Sequence, residues 1–267
     1  MAAHTLLRYP IQYSCYFSRS RVGEQFIPEH TICYVVSGSI EVSDINGSDT
    51  YKEGDLYFCR RNRLGKYTKQ PGANGAYRSV SVYLDQDTLR NFSIAYGYTA
   101  EKEMQTPAFI TLARTSVLAS YMNTLREYEA ILGNENTLPL LEVKRNEAIL
   151  LLLQTAPGLK DILFDFSEPG KIDLEAFMNR NFHFNVALER FAYLTGRSLS
   201  TFKRDFQKVY HLTPSRWLLQ RRLQEAYFLI KEKGRSATDV YIDLGFEDLS
   251  HFSHSFKRQY GVAPSQA

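Results

Sequence analysis

Two sets of side chains in this 267-residue chain share one spacing and one chemistry. Ser200, Thr201, Lys203, Arg204, Gln207 and Lys208 make the first set. Ser250, His251, Ser253, His254 and Lys257 make the second. Each set falls on one side of a helical period and offers hydroxyl, amide, imidazole, ammonium or guanidinium groups. Such groups read the edges of base pairs. A guanidinium spans N7 and O6 of guanine, hydroxyls and amides exchange hydrogen bonds with bases, and an ammonium meets phosphate.

The elements that must position these groups are written twice. Phe202–Ser215 aligns without gaps on Phe252–Ser265, 50 residues on, and the match extends upstream through Leu199/Leu249, Leu194/Leu244 and Ala187/Ala237. An internal repeat sets architecture before any local pattern does, and two copies mean a duplicated small module. Leu199, Phe202, Phe206 and Val209 form an inward stripe in the first copy, as Leu249, Phe252, Phe256 and Tyr260 do in the second. Shorter apolar-periodic segments, 186–195 and 237–244, precede the two helices, with Gly196 and Gly245 at the breaks, where a left-handed residue ends a helix cheaply. Helix, glycine turn and a second helix with a polar outer face form a helix-turn-helix pattern. The plainer reading is two helical hairpins with solvated faces, which two copies in register disfavour. Between the copies, Thr213 can cap a helix starting at Pro214. Trp217, Leu218, Leu223, Ala226, Leu229 and Ile230 make it amphipathic, and Lys231, Lys233 and Gly234 end it. A helix of about 20 residues spans about 30 Å, close to the turn of B-DNA at about 34 Å. Helices 198–210 and 248–260 are thereby expected to enter successive major grooves.

Residues 187–265 resemble the DNA-binding domain of the AraC/XylS family of bacterial transcription regulators. The resemblance rests on Phe202-Lys-Arg-Asp-Phe206, Pro214-Ser-Arg-Trp217, Arg222-Leu-Gln-Glu-Ala226 and above all Gly245–Pro264. It departs at His211 and Tyr241, where the family usually has Gly and Ala, and at His254, where the family often has Arg. The resemblance implies a sequence-specific, cytoplasmic regulator, an activator by the family's habit. Its partners would be double-stranded DNA and RNA polymerase, with a small-molecule effector and a homodimer both left open.

The formal charge of +3 hides an asymmetry. From Lys171 onward there are 15 Lys and Arg against 10 Asp and Glu, and before it 17 against 19. The basic half is the half with the repeat, as nucleic-acid binding requires. With 44% hydrophobic and 23% charged residues, the composition is that of globular domains, and the length suggests two. No apolar run is long enough to span a membrane. The first residues lack the order of a signal peptide. Cys15, Cys33 and Cys59 show no ligand spacing and read as buried, reduced thiols.

The first 100 residues read as short strands: 11–17, 31–36, 39–43, 56–60 and 79–83, separated by Gly-containing turns at 37–38, 46–48, 53–55, 71–72 and 74–75. Tyr34–Gly38 followed by Lys52–Phe58 resembles the cupin-like sensor barrel that often precedes this DNA-binding domain. A metal-binding cupin would need clustered ligands, whereas only His4 and His30 occur here, so His30 reads as packed. No cofactor, metal or catalytic group is expected. Tyr34, Tyr57, Phe58, Tyr67, Tyr77 and Tyr83 either line an effector pocket or are ordinary core aromatics. Residues 115–155 return to helical period, with Leu118, Tyr121, Met122, Leu125, Tyr128 and Leu132 on one stripe, a break at Gly133, Asn134 and Pro139, and a second segment through Leu141, Ala148, Leu151 and Leu152. These helices either pack on their own barrel or form a dimer seam. The expected fold is α+β in two domains. Residues 1–158 form a cupin-like β-barrel or jelly roll with appended helices, 159–170 a linker, and 171–267 an all-α domain of two helix-turn-helix motifs joined by a long helix, opened by a helix capped by Asp173. The rival readings are a cupin-type small-molecule-binding protein or enzyme with an accessory helical domain, and a protein-interaction module without DNA.

Overall fold

A computed structural model describes residues 10–21, 25–130 and 137–267. The chain forms two compact units; the first ends at Ser167, and the second runs from Glu168 and also takes in Gln25 and Phe26.

Up to Ser167 the chain carries β1 (Ile11–Tyr16), β2 (Phe26–Ile27), β3 (His30–Ser37), β4 (Ser39–Asp44), β5 (Gly47–Lys52), β6 (Leu56–Cys59), β7 (Arg63–Leu64), β8 (Lys66–Gln70), β9 (Tyr77–Leu84) and β10 (Phe109–Leu112). One antiparallel sheet has the order β1-β9-β3-β6-β10 and a second has β5-β4-β8. The period of two in β3 and β6 explains how one sheet serves two cores. Cys33, Val35, Tyr57 and Cys59 face Ile40, Val42 and Tyr51 of the smaller sheet. Ile32, Tyr34, Leu56 and Phe58 face the opposite way, into a larger core completed by helices. With both faces covered, β3 and β6 read as apolar runs instead of alternating ones.

Those helices are α1 (Gln86–Tyr96), α2 (Ser116–Glu127), α3 (Leu138–Thr155) and α4 (Lys160–Leu163). The expected stripe of α2 is real, and it is used up inside the unit. Leu118, Tyr121, Met122 and Leu125 are all buried against the sheet and α3. Of the two readings of this helix, packing on its own barrel holds for these four residues. Leu132, Gly133 and Asn134 lie outside the described residues, as does His4. Pro139 does not break a helix. It occupies the first turn of α3, where its missing N–H is harmless.

The expected strands are present within a residue or two. The reading of 1–100 as strands alone missed α1, whose inward residues are only Thr88, Leu89 and Phe92. It also missed β5 and β8; β5 is exposed at every position but Tyr51 and carries no alternation to detect. Strand β10, beyond residue 100, was not expected either. Over Leu159, Ile162, Leu163 and Phe164 the expected linker is core. Cys33 and Cys59 are buried as expected, whereas Cys15 is exposed. Tyr57 and Tyr77 belong to the core between the sheets, Tyr67 packs at its margin, and Tyr34 and Phe58 belong to the helix-covered core. His30 is packed: its ring stacks on Phe58 and its Nδ1 accepts the Arg61 backbone N–H at 3.2 Å.

From Glu168 on the regular elements are helices: α5 (Leu174–Asn181), α6 (Leu188–Leu194), α7 (Leu199–Tyr210), α8 (Pro214–Lys231), α9 (Ala237–Asp243) and α10 (Leu249–Tyr260). Asp173 caps α5 through the Ala176 N–H. Thr213 stands at the cap of α8 without making a side-chain bond, and Pro214 opens that helix.

Candidate nucleic-acid interface

The two copies of the repeated text fold alike at their ends as well as their middles. Ser198 accepts the Thr201 N–H at the start of α7, and Asp248 accepts the His251 N–H at the start of α10. At the far ends His211 and Gly261, 50 residues apart, both take left-handed backbone, with φ of 54° and 79°. Glycine does this freely, and histidine does it at a cost. The preceding turns also rely on glycine. Gly245 has φ of 80°, and a Cβ there would lie 2.8 Å from the His183 carbonyl oxygen.

Both α7 and α10 dock on α8 through aromatic rings. Trp217 meets Phe206 at 5.6 Å and Tyr210 at 4.6 Å between centroids. Ten residues further along α8, Tyr227 meets Phe256 at 6.2 Å and Tyr260 at 4.5 Å. Phe202, Phe206, Phe252 and Phe256 are fully buried, each burial contributing about 2–3 kcal/mol. Val209, expected inward, is exposed; Tyr210 takes the packing role one position on. Leu249 is also partly exposed, at 39%. Between the two docking points Arg222 of α8 is spent on carbonyls. Its Nε donates to Phe182 O at 2.8 Å, Nη2 to Phe184 O at 2.8 Å and Nη1 to Gly245 O at 2.7 Å. Burial lowers its pKa to about 10, so it stays charged at neutral pH. One guanidinium thus ties the connection before α6 to the turn before α10.

The sequence-derived contact residues lie on the sides of α7 and α10 away from this packing. Ser200, Lys203, Arg204, Gln207 and Lys208 are exposed, as are Ser250, His251, His254 and Lys257. Thr201 and Ser253 are half-buried. The Thr201 hydroxyl already accepts from Ser198 at 3.0 Å. Arg204 is 66% exposed along its side chain, and its Nε lies 3.8 Å from Asp205 Oδ1. That carboxylate is held chiefly by Arg197 at 3.1 Å, whose hydrogen bond lowers its pKa. Asp243 is paired with Arg235. The Arg204 guanidinium is therefore left facing outward. Arg258, also exposed, was missed by the sequence reading, although the 50-residue offset aligns it with Lys208 and could have found it. Within the described residues no group of three or more His, Cys, Asp or Glu is arranged to hold a metal, and no helix is long and apolar enough to cross a membrane.

Comparison with known proteins also treats the two halves of the chain separately. A family model described as a helix-turn-helix domain matches residues 191–267, and one described as the ExsA N-terminal regulatory domain matches residues 30–162. The chain is 26% identical over 257 residues to the HTH-type transcriptional regulator ExsA of Pseudomonas aeruginosa, covering 95% of this chain and 91% of that protein. It is 29% identical over 236 residues to the virulence regulon transcriptional activator VirF of Yersinia enterocolitica, covering 85% of each. It is 28% identical over 235 residues to the thermoregulatory protein LcrF of Yersinia pestis, again covering 85% of each. Among solved structures, an apo variant of ToxT from Vibrio cholerae is similar over 96% of both chains, at 12% identity and a TM-score of 0.48.

Proposed function

Since the chain belongs to the AraC/XylS family of bacterial transcription regulators, we propose that it is an activator that places α7 and α10 in successive major grooves on one face of its operator. The observation that carries this reading is the pairing of two like-folded modules, outward polar and basic faces included, on the single strut α8. At 18 residues α8 is about 27 Å long, short enough to keep both helices within one turn of the duplex. Arg204 reads a guanine, Ser200 and Lys203 assist it, and Lys208 and Arg258 meet phosphate. DNA and RNA polymerase are the macromolecular partners, and the chain works by binding instead of catalysis, in the cytoplasm.

The N-terminal unit is the regulatory half, matching a domain described in those terms. Self-association cannot use the inward stripe of α2. It falls instead to α3, whose Val143 and Leu150 are 60% and 39% exposed. Any small-molecule effector acts through this unit too. The experiment that tests the reading is genomic footprinting followed by nuclease protection at the sites recovered. Two protected stretches with centres about 10 base pairs apart are expected from two linked modules. A single short footprint, or none, would remove the two-groove reading.

A further inference from the structure

Cys33 on β3 and Cys59 on β6 both point into the core between the two sheets. Thr31 pairs with Cys59 and Cys33 with Tyr57, so the two cysteines are diagonal neighbours on adjacent strands. Their Sγ atoms are 3.9 Å apart, which is contact distance, against about 2 Å for a disulfide. The Ser81 hydroxyl donates to Cys33 Sγ at 3.6 Å. Either thiol can donate to the other; their contact holds the Cys33 thiol below its ordinary value and, aided by burial, raises Cys59 well above its own. The pair is thus unequal, with Cys33 the readier to give up its proton.

The residues that follow Cys59 hold other parts of the unit. Arg61 gives its backbone N–H to His30, at the start of β3, and its guanidinium to the carbonyls of Asp165 and Ser167 at 2.6 and 3.1 Å. Arg60 holds the Met104 carbonyl at 2.6 Å and the Thr106 hydroxyl at 2.9 Å. The end of β6 therefore fastens the last residues of the first unit. Diagonal neighbours on antiparallel strands stand about 7–8 Å apart, beyond the usual Cα range of a disulfide of about 4.4–6.8 Å. Closing the bond must draw the end of β6 toward β3.

We propose that Cys33 and Cys59 are a redox-modifiable dithiol, and that its closure to a disulfide shifts the end of β6 and so changes the grip of Arg61 on the segment leading to the DNA-binding unit. With hydrogen peroxide as oxidant, the Cys33 sulfur attacks one peroxide oxygen and the O–O bond breaks. Cys33 becomes a sulfenic acid, and the proton it gave up leaves in water. The Cys59 sulfur then attacks the sulfenic sulfur, the S–O bond breaks, and the Cys59 proton leaves in a second water. Two electrons pass from the two thiols to the peroxide. A dithiol reductant reverses the bond by exchange. In a reducing compartment such a bond is transient, as redox-sensing disulfides are.

The test uses the full chain, with the exposed Cys15 as internal comparison. The protein is treated with hydrogen peroxide, denatured, alkylated and weighed, and its peptides are mapped. The count of free thiols is expected to fall from three to one, with peptides of Cys33 and Cys59 joined and both thiols restored by dithiothreitol. Retention of all three thiols, or loss of Cys15 alone, would overturn the proposal. Operator affinity is measured in parallel. Oxidation should shift it by about fivefold or more in wild type and in Cys15→Ala, the size of an ordinary coupling between sites. It should leave it unchanged in Cys33→Ala and Cys59→Ala. A disulfide that forms without moving the affinity would overturn the coupling. Because the bond is detected by mass, a reduced protein that binds no DNA would count against the regulator reading alone.

Discussion

On the proposed function, Arg204 is the side chain on which specificity most depends. It stands mid-helix, outward, with only a loose contact to a carboxylate that Arg197 already holds. Arg204→Ala should cost about 1–3 kcal/mol of operator affinity and relax one base position, while Lys208→Ala should weaken all sequences alike and flatten the salt dependence. Quantitative binding to a set of single-base operator variants at several salt concentrations separates the two, and unchanged binding by Arg204→Ala would refute its role. His211 makes a second prediction. It holds left-handed backbone where its counterpart in the other copy is Gly261, so His211→Gly should stabilise the second unit by about 1 kcal/mol, read by urea denaturation. These residues were legible because the text occurs twice: alignment at 50 residues shows which positions keep Phe in both copies and which differ. Arg197 was not singled out, and Arg222 entered only as part of a stretch of matching text, without a role. What each does depends on carbonyls and carboxylates that only the folded chain brings to them.

The second reading helix differs from the first in charge. Where α7 offers Arg204, α10 offers His254, with His251 one turn earlier, both exposed. An imidazole offers a base edge or a phosphate a hydrogen bond but not the two-pronged grip of a guanidinium, so α10 should hold its half-site more weakly than α7 holds its own. Nuclease protection by His251→Ala/His254→Ala should lose the second half-site and keep the first; full protection of both would refute it. For α3, charged replacements of Val143 and Leu150 should leave a folded protein that sediments as a monomer, and a wild-type monomer at high micromolar concentration would exclude the assignment. Helices with one inward stripe, such as α2, α7 and α10, could be read from spacing alone. The direction in which the α2 stripe faces could not, because period alone does not name the surface a helix packs on. Strand β5 escaped for the opposite reason: as an exposed hairpin partner it buries little besides Tyr51, so burial left no pattern in it.

The molecule as a whole joins a β-rich regulatory unit to a helical DNA-binding unit, and the stability of the former should report on acid. Burial, then the charges of Arg61 and Arg60, lower the His30 pKa to about 3, whereas in an unfolded chain histidine takes up its proton near 6.5. The unfolded form therefore binds more protons between those values. Stability from this group is complete above about pH 6.5 and is lost as pH falls, by about 2 kcal/mol at pH 5. Denaturant titrations at pH 7 and 5 should show that much of the difference disappear in His30→Asn. The staple made by Arg222 bears on ancestry. By binding the turn before α10 and the connection before α6 to one strut, it leaves the outward faces of the two modules free to drift after duplication while their separation stays locked. Base preferences at the two half-sites can therefore diverge independently, letter by letter, but the interval between them cannot. Operators served by this architecture should differ in spelling and agree in metre.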